Sequence, residues 1–596
     1  MRIFWRIFLF FSAYLPIWHF QLYAEMLPEA KNAAENPPAA QKADKSKPSS
    51  DGGKSAVAQK KSGRSESRDK LRENKAAARE ASKKREAQAK NNAQNVREPL
   101  SPYETDSAEF VVANKIDEIV LRNLKLRGLK PAKLSSDAVF LRRVYIDATG
   151  TVPDEQKARA FLADKSGDKR GKLIESLLNS EAYALRMTQH FGDMLKIKAE
   201  FPINLWPNAA QAYSRFILDS FRKNIPYDVT VRKILTSEGS NFRAGEVNFF
   251  RAMQAKNPQS VAASATLAFM GIRYEKLSEV AKGNMAAFFE RIAYKSTKEW
   301  KEEIVFNDPS KRAPFVGFYP DGNPVTLSPS EDPRGAFANW LTKKGNPYFS
   351  RAIANRMWYW LFGQPIVSPV DEMFASNPPA NGELLDYLAG YLEASNFDLK
   401  KLASLILNSR IYQQSPIPQC RPEDAKKYFA VYPTRRIDAE ALIDIICKLT
   451  STAEVYESTT PEPYTKFPAG ESAVALPDGS ITTSFLELFG RPSRDTGLDS
   501  ERVNAPSASQ KLHMINSFHI RTKLENGSSM QALYRRGGLK FLEGAYLTIY
   551  SRYPTSSECG RFQLLWEKRA KRDKHWNHYI DTAWALLNSE EFVNNH

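Results

Sequence analysis

The sequence of 596 residues has only three cysteines, and they stand far apart at Cys420, Cys447 and Cys559. No CxxC or CxxCH spacing occurs, so we do not predict a disulfide framework or a redox thiol pair. At most one disulfide could form. Histidine is also scarce, with seven residues. Because protein zinc sites need three or four convergent ligands, we predict no metal site.

The common catalytic fingerprints are missing as well. The sequence contains no GxSxG elbow, no Walker phosphate loop, no HExxH and no dinucleotide-binding glycine pattern. These absences exclude the commonest serine hydrolase, nucleotide-binding and zinc protease classes from the interpretation.

The N-terminal residues 1–24 have the pattern of a secretory signal. Arg2 and Arg6 precede an apolar run, residues 7–17, and a small residue, Ala24, stands at the exit. The run is shorter than the roughly 20 residues that span a bilayer, so we expect cleavage rather than anchoring. The prediction is a periplasmic or secreted protein without a transmembrane domain after cleavage, or one tethered to the membrane if the signal is retained.

Residues 25–100 are predicted to form a disordered basic linker. Between Pro28 and Leu100, 18 Lys or Arg face 10 Asp or Glu, and large aliphatic residues are few. Such a segment buries too little apolar surface to offset its ordering entropy. We interpret it as a solvated spacer, with adhesion to anionic envelope polymer as the alternative; export and interspersed acids argue against nucleic acid.

The rest of the chain is predicted to be mainly α, in two helical domains at residues 101–310 and 331–596. Apolar residues recur at helical spacing, as in Ile116, Ile119, Val120 and Leu124. Nearly 500 residues exceed what one hydrophobic core usually supports. The Pro- and Gly-punctuated residues 311–330 are the predicted linker between the domains. A second irregular zone, residues 459–506, is typical of a functional or capping excursion.

Two stretches carry a family resemblance. Phe140 to Gly150, with Val152-Pro153 and Leu178 to Tyr183, resembles the opening of the DUF1549 domain. Glu331 to Ser415, with its tryptophan-rich Arg351 to Trp358, resembles the DUF1553 domain. These paired domains occur in secreted proteins of planctomycetes and their relatives, and the resemblance implies a helical fold in the cell envelope.

The chain departs from the family pattern in two places. Where relatives carry a CxxCH motif resembling a c-type haem attachment site, this chain reads Tyr274 to Lys282, without Cys or His. Where many relatives have Cys-x-Cys-Glu-Arg, it has Leu498-Asp499-Ser500-Glu501-Arg502. We therefore expect no cofactor and, in particular, no c-type haem.

Candidate catalytic residues are Asp499, Glu501, Arg502 and His513, which follow Gly490-Arg491-Pro492. Paired carboxylates, such as Asp499 with Glu501 or Asp371 with Glu372, suit acid–base chemistry. The alternative is that these carboxylates only cap turns. For the histidines, including His513, a structural role is favoured over metal binding.

A candidate ligand-binding surface lies on a predicted helix over residues 349–362. Arg351, Asn355 and Trp358 recur at i, i+4 and i+7, with Arg356 beside them. Indole can stack on a sugar or peptide while amide and guanidinium groups hold its oxygens. The alternative places Trp358 in the core and leaves Asn355 and Arg356 bonded to nearby backbone.

Together these features predict an exported cell-envelope protein that binds or scaffolds an unknown ligand, a haem-less relative of a cytochrome-like family. The family association implies envelope polysaccharide or sulfatase-like secreted proteins as partners. The alternative is an extracellular enzyme acting on polysaccharide, with its site near Arg491 to Arg502. Electron transfer suits the family's CxxCH-bearing members better than this chain.

Overall fold

The computed structural model describes residues 102–105, 110–458, 460, 467–468, 470–569 and 575–596. The predicted signal peptide and basic linker, residues 1–24 and 25–100, lie outside the described residues. The described residues fall in one compact unit. None of the helices among them is both long and apolar enough to cross a membrane.

Helices dominate the described chain, which confirms the mainly α prediction. The helices of the first half are α1 Lys115–Leu126, α2 Asp137–Thr149, α3 Glu155–Ala163, α4 Lys169–Leu178, α5 Glu181–Met194, α6 Pro207–Arg222, α7 Tyr227–Thr236, α8 Pro258–Ala265 and α9 Glu279–Ala287. Those of the second half are α10 Pro333–Leu341, α11 Phe349–Phe362, α12 Gly382–Ala394, α13 Leu399–Leu407, α14 Pro422–Lys427, α15 Ala439–Thr450, α16 Ser484–Leu488, α17 Ala508–Asn516, α18 Phe518–Asn526, α19 Ser528–Arg536, α20 Gly538–Tyr550, α21 Ser556–Arg569, α22 His575–Leu587 and α23 Glu590–Val593.

Short antiparallel strands join these helices. Strand β3 lies between β1 and β2, β4 pairs with β5, and β6 pairs with β7. The strands are β1 Gly239–Ser240, β2 Ile292–Ser296, β3 Glu303–Asn307, β4 Phe315–Phe318, β5 Pro324–Leu327, β6 Arg435–Arg436 and β7 Asn594–Asn595.

Local sequence signals explain the helix ends. At α1 the Asn114 side chain accepts a hydrogen bond from the Ile116 amide at 3.0 Å, and Asp117 accepts one from the Asn114 amide at 3.2 Å. This reciprocal cap satisfies amides that the first helical turn leaves without partners. Helix α2 ends at Gly150, whose φ of 66° is a conformation that glycine adopts without a steric penalty.

The predicted linker at residues 311–330 is not an open connection. It forms the β4–β5 hairpin, in which Phe315 lies opposite Leu327 and Gly317 opposite Val325. Val325 and Leu327 are buried in the first hydrophobic core. Whether the segments on either side fold independently stays a prediction.

Two hydrophobic cores organise the unit. The first contains residues between Ile116 and Tyr432 together with Leu547, and so takes in residues of both predicted domains. The second is built from residues after Ile437, joined by Ile146 and Val152 of the first half. The two cores therefore meet at α2, at β6 and at the start of α15, where polar residues replace apolar ones.

Trp358 belongs to the first core. It is fully buried, and its ring centroid lies 4.9 Å from that of Phe362 and 5.4 Å from that of Phe429. Replacing it with Ala leaves a large cavity, so we expect Trp358→Ala to lower the free energy of unfolding by about 3–5 kcal/mol. Trp300→Ala is the matched control, because that side chain is 70% exposed and its loss should cost below about 1 kcal/mol. Equal losses in urea unfolding would contradict this placement.

Candidate functional site

A polar cleft of about 220 Å³ lies where the two cores meet. Helices α2, α5 and α11, strand β6 and the segment after Arg491 form its walls. Its charged lining residues are Asp147, Asp193, Asp371, Asp438 and Asp499 and Arg186, Arg356, Arg435, Arg436 and Arg502.

Helix α5 supplies one wall through its spacing. Arg186, His190 and Asp193 recur at i, i+4 and i+7 and so share a face, whereas Met187 and Phe191 on another face are buried in the first core. Arg186 Nη2 donates to Asp438 Oδ2 at 2.5 Å. The helix thus presents a cation, an imidazole and a carboxylate to the cleft.

Helix α11 supplies the facing wall. Arg356, Tyr359, Trp360 and Gly363 lie at i, i+3, i+4 and i+7 and line the cleft. Arg356 donates to the Asp371 carboxylate at 2.8 Å and to the carbonyls of Leu267 and Ala268. The guanidinium therefore holds Asp371 at a fixed place in the wall.

Arg502 ties the third wall to the others. It donates to Glu440 at 2.8 and 3.0 Å and to Asp193 at 2.7 Å. Gly490 allows this approach, because a Cβ there would lie 2.0 Å from the Val503 carbonyl oxygen. A side chain at Gly490 would thus displace the segment that carries Arg502.

Asp438 is held as a carboxylate by this arrangement. Burial alone would raise the pKa of its carboxyl, but Arg186 and Arg502 beside it hold that pKa far below the usual range. The Asn504 amide also donates to it at 2.8 Å. Asp438 is therefore a permanent negative charge in the cleft.

Asp499 behaves in the opposite way. Burial and the neighbouring Asp371 carboxylate raise the pKa of Asp499 to about 6, against the opposing effect of a hydrogen bond from the Tyr359 hydroxyl. Its own backbone amide donates to Asp371 Oδ2 at 2.8 Å. A carboxyl that titrates near neutral pH beside a carboxylate is suited to give or take a proton.

His190 is the second proton-transfer candidate. Its ring stacks on Trp360, with centroids 4.7 Å apart and planes 6° apart. Within the described residues its ring nitrogens form no hydrogen bond, although the side chain is 92% buried. Burial lowers the pKa of His190 well below its usual value. The positive charges of Arg186 and Arg502 lower this pKa further, whereas the negative charge of Asp438 raises it. The imidazole is therefore neutral at pH 7.

The neutral state of His190 predicts a pH dependence of stability. Below about pH 6.5 the unfolded chain binds a proton at this residue that the native protein does not bind, so the free energy of unfolding falls. Between about pH 7.5 and about pH 5.5 the loss from this residue should be about 1.4 kcal/mol. His190→Gln should remove that part in urea unfolding, whereas parallel pH curves for both proteins would contradict it.

Of the four predicted catalytic residues, two line the cleft and two lie outside it. Asp499 and Arg502 line the cleft. Glu501 does not; its carboxylate accepts hydrogen bonds from the Thr496 backbone and hydroxyl, which is the turn-capping alternative. His513 lies elsewhere, with its ring centroid 5.6 Å from that of Phe485 in an aromatic cluster of the second core.

The predicted ligand surface on α11 does not form as one surface. The helix has the predicted bounds, but Trp358 and Asn355 are fully buried. Asn355 bonds the backbone of Ile366 and Val367, and Arg351 pairs with Asp386 on the outside. Arg356 alone of the four lines the cleft, so the assignment of Arg351, Asn355 and Trp358 to one ligand surface with it is corrected.

The acidic pair also differs from the expected pairs. The sequence pairs Asp371 with Glu372 and Asp499 with Glu501, because the two residues of each pair are one or two positions apart in the chain. In the structure Asp371 meets Asp499, whereas Glu372 faces Lys276 at 3.0 Å and Arg273 at 3.5 Å. The Lys276 loop therefore abuts the turn that carries Asp371 but does not line the cleft.

Several cleft residues are not predicted from the sequence: Arg186, His190, Asp193, Arg435 and Asp438. A signal for α5 existed, since the helix between Tyr183 and Met194 carries a polar face too charged for a buried helix. Asp438 and Arg435 gave no such signal, because Arg186 and Asp147, which pair with them, lie more than 250 residues away in the chain.

The residues present do not fit a covalently attached haem. The loop at the family's CxxCH position forms a short turn, Tyr274–Lys276, and then α9, with Ser278 as its cap. The Tyr274 hydroxyl donates to the Lys282 carbonyl, and the three cysteines lie elsewhere as free thiols. No set of three or more His, Cys, Asp or Glu among the described residues is arranged to hold a metal ion.

The fold and the cleft define a mainly helical protein with an arginine–carboxylate site between two cores. Residues 115–287 match PSCyt2, a protein of unknown function (DUF1549), and residues 333–566 match PSD1, a protein of unknown function (DUF1553). The chain therefore belongs to the proteins that pair these two domains, as its motifs predict. Comparison with curated proteins and with solved structures gives no match.

Proposed function

We propose that this protein is an exported cell-envelope enzyme that cleaves a saccharide in the cleft by acid–base chemistry. The observation that carries the proposal is a pair of opposite pKa shifts in one cleft. Asp499 has a pKa raised to about 6, and His190 is kept neutral in the same cleft. Strongly shifted pKa values of two titratable groups in one cleft are typical of acid–base sites.

The two groups take complementary roles. Protonated Asp499 donates its proton to the glycosidic oxygen as the bond from that oxygen to the anomeric carbon breaks. A water oxygen attacks the anomeric carbon and gives its proton to the neutral His190. Exchange with solvent returns both groups to their starting states, so the net reaction is hydrolysis.

The other residues of the cleft position this chemistry. Asp371, fixed by Arg356, keeps a negative charge beside Asp499 and so favours its protonated form. The stacked rings of His190 and Trp360 give one wall a flat apolar area, which suits the C–H face of a sugar ring.

A release assay tests the proposal. The purified protein is incubated with neutral, uronate-containing and sulfated polysaccharides, and new reducing ends are measured. We expect release from at least one polymer and its loss after Asp499→Asn. Release that is unchanged in that variant would contradict the assigned site.

A binding or scaffolding role in the envelope, with polysaccharide or sulfatase-like secreted proteins as partners, is the second candidate. An aromatic surface outside the cleft favours it, since Lys301 Nζ lies 5.1 Å from the ring centroids of both Trp206 and the exposed Trp300. Polymer retention without new reducing ends, abolished by Trp300→Ala and unaffected by Asp499→Asn, would favour this role over the enzyme.

We propose that the protein carries no covalently attached haem, whether it acts as an enzyme or as a binding protein. Attachment through thioethers requires thiols, and residues 274–282 have none. Protein made in a host that matures cytochromes should therefore show no Soret band.

A further inference from the structure

The charges of the cleft balance in pairs, with one exception among the arginines. Four of its arginines each contact a carboxylate at hydrogen-bond distance. These pairs are Arg186 with Asp438 at 2.5 Å, Arg356 with Asp371 at 2.8 Å, Arg435 with Asp147 at 2.5 Å and Arg502 with Glu440 at 2.8 Å.

Arg436 is the exception. No carboxylate lies within ion-pair distance of it in the described part of the chain, although its side chain is 92% buried. Its Nη1 donates to the neutral Gln510 amide, its guanidinium carbon lies 4.8 Å from the Phe489 ring centroid, and its Nε has no partner. A buried guanidinium without a counter-charge is costly unless a ligand supplies one.

The neighbourhood of Arg436 does not supply that charge. Glu590 is the acidic residue that acts on it, from beyond ion-pair distance, and Glu590 is itself paired with Lys511 at 3.1 Å. Burial outweighs this contribution and lowers the pKa of Arg436. The guanidinium nonetheless stays charged, because arginine titrates far above neutral pH.

We propose that Arg436 is an anion subsite of the cleft, which binds a carboxylate or sulfate group of the ligand. If the protein cleaves saccharides, as proposed above, an anion subsite makes acidic saccharides its substrate class. The saccharide half of this inference rests on the proposed function. Arg436 fixes the charged substituent, and Asp499 acts on the glycosidic oxygen in the same cleft.

Matched ligands test the subsite in the wild-type protein. Trigalacturonate and its methyl ester have nearly the same shape, but only the acid carries charge. We expect the ester to bind at least about tenfold more weakly in calorimetry, the effect of losing one charge-assisted hydrogen-bonded contact. Equal affinity of the acid and the ester would overturn the proposal for carboxylates, and galactose 6-sulfate against galactose makes the same comparison for sulfate.

Variants then locate the effect. Arg436→Gln should bind the acid and the ester equally, whereas Arg436→Lys should keep part of the preference and so controls for loss of folding. Arg351→Gln removes an arginine that pairs with Asp386 on the protein surface, and it should keep the full preference. A preference that survives in Arg436→Gln would place the anion elsewhere.

Inorganic sulfate separates this proposal from the saccharide function. Sulfate should raise the melting temperature of the wild type more than chloride at equal ionic strength, and this difference should vanish in Arg436→Gln. If sulfate acts this way but no saccharide binds, the anion subsite stands and the saccharide function falls. If sulfate stabilises both proteins equally, the subsite itself is wrong.

Discussion

Asp499→Asn is expected to lower the rate of saccharide cleavage by about 10²–10⁴-fold, the usual contribution of a positioned proton donor. Asn keeps the shape of the side chain but has no acidic proton to give to the leaving oxygen. The Asp499 backbone amide that bonds Asp371 is unaffected, so the fold and the affinity for substrate should change little.

Asp495→Asn is the matched control for this variant. Asp495 lies four residues away in the same segment, but its carboxylate pairs with Lys198 at 2.7 Å and does not line the cleft. Its replacement should change the rate less than about threefold, because it removes a partly exposed ion pair. Similar losses in both variants would show that the segment, and not the acid, matters.

The wild-type rate should also carry the signature of Asp499. A proton donor acts in its protonated form, and burial beside Asp371 raises the pKa of Asp499 to about 6. The rate should therefore fall as pH rises through about 6. A rate that already falls as pH rises through about 4, the ordinary carboxyl pKa, would contradict the assignment.

Arg502→Met is expected to lower the free energy of unfolding by about 3–5 kcal/mol. The change leaves the fully buried Glu440 with Arg491, at 3.5 Å, as its remaining cation, and leaves Asp193 with Arg494 at 2.8 Å. Burial raises the pKa of Glu440, and Arg502 holds it below its usual range. Without Arg502 the protein must either keep a buried charge or protonate it.

Adding Glu440→Gln to Arg502→Met should restore part of this loss, because it removes the buried carboxylate that has lost its closest cation. Arg351→Met serves as the control, since that arginine forms a partly exposed pair with Asp386 and should cost below about 1 kcal/mol. Urea unfolding measures all three proteins. A double variant no more stable than Arg502→Met would contradict the role given to Glu440.

Local patterns were enough to predict the mainly α fold and the helix over residues 349–362. The bounds of α11 follow from its apolar residues and from Gly363, which ends it. Which side of α11 faces the core could not be predicted from the sequence, because a helix rich in tryptophan has apolar groups on several sides. Trp358 faces the first core and Trp360, two residues later, faces the cleft, a choice that depends on which neighbours pack against each side.

The site itself depends on contacts between distant residues. Asp371 and Asp499 were each identified as acidic candidates, but each with its neighbour in the chain. Their meeting across 128 positions follows from how the two cores pack, which no spacing in the sequence encodes. His190 was missed for the same reason, since its surroundings come from distant residues such as Trp360 and Asp438.

A crystal structure of the Asp499→Asn protein soaked with trigalacturonate tests the account most directly. The variant should retain uncleaved ligand in the cleft, with a sugar ring against His190 and Trp360, a glycosidic oxygen within hydrogen-bond distance of residue 499 and a carboxylate on Arg436. A saccharide bound only at Trp300, with the cleft empty, would contradict it.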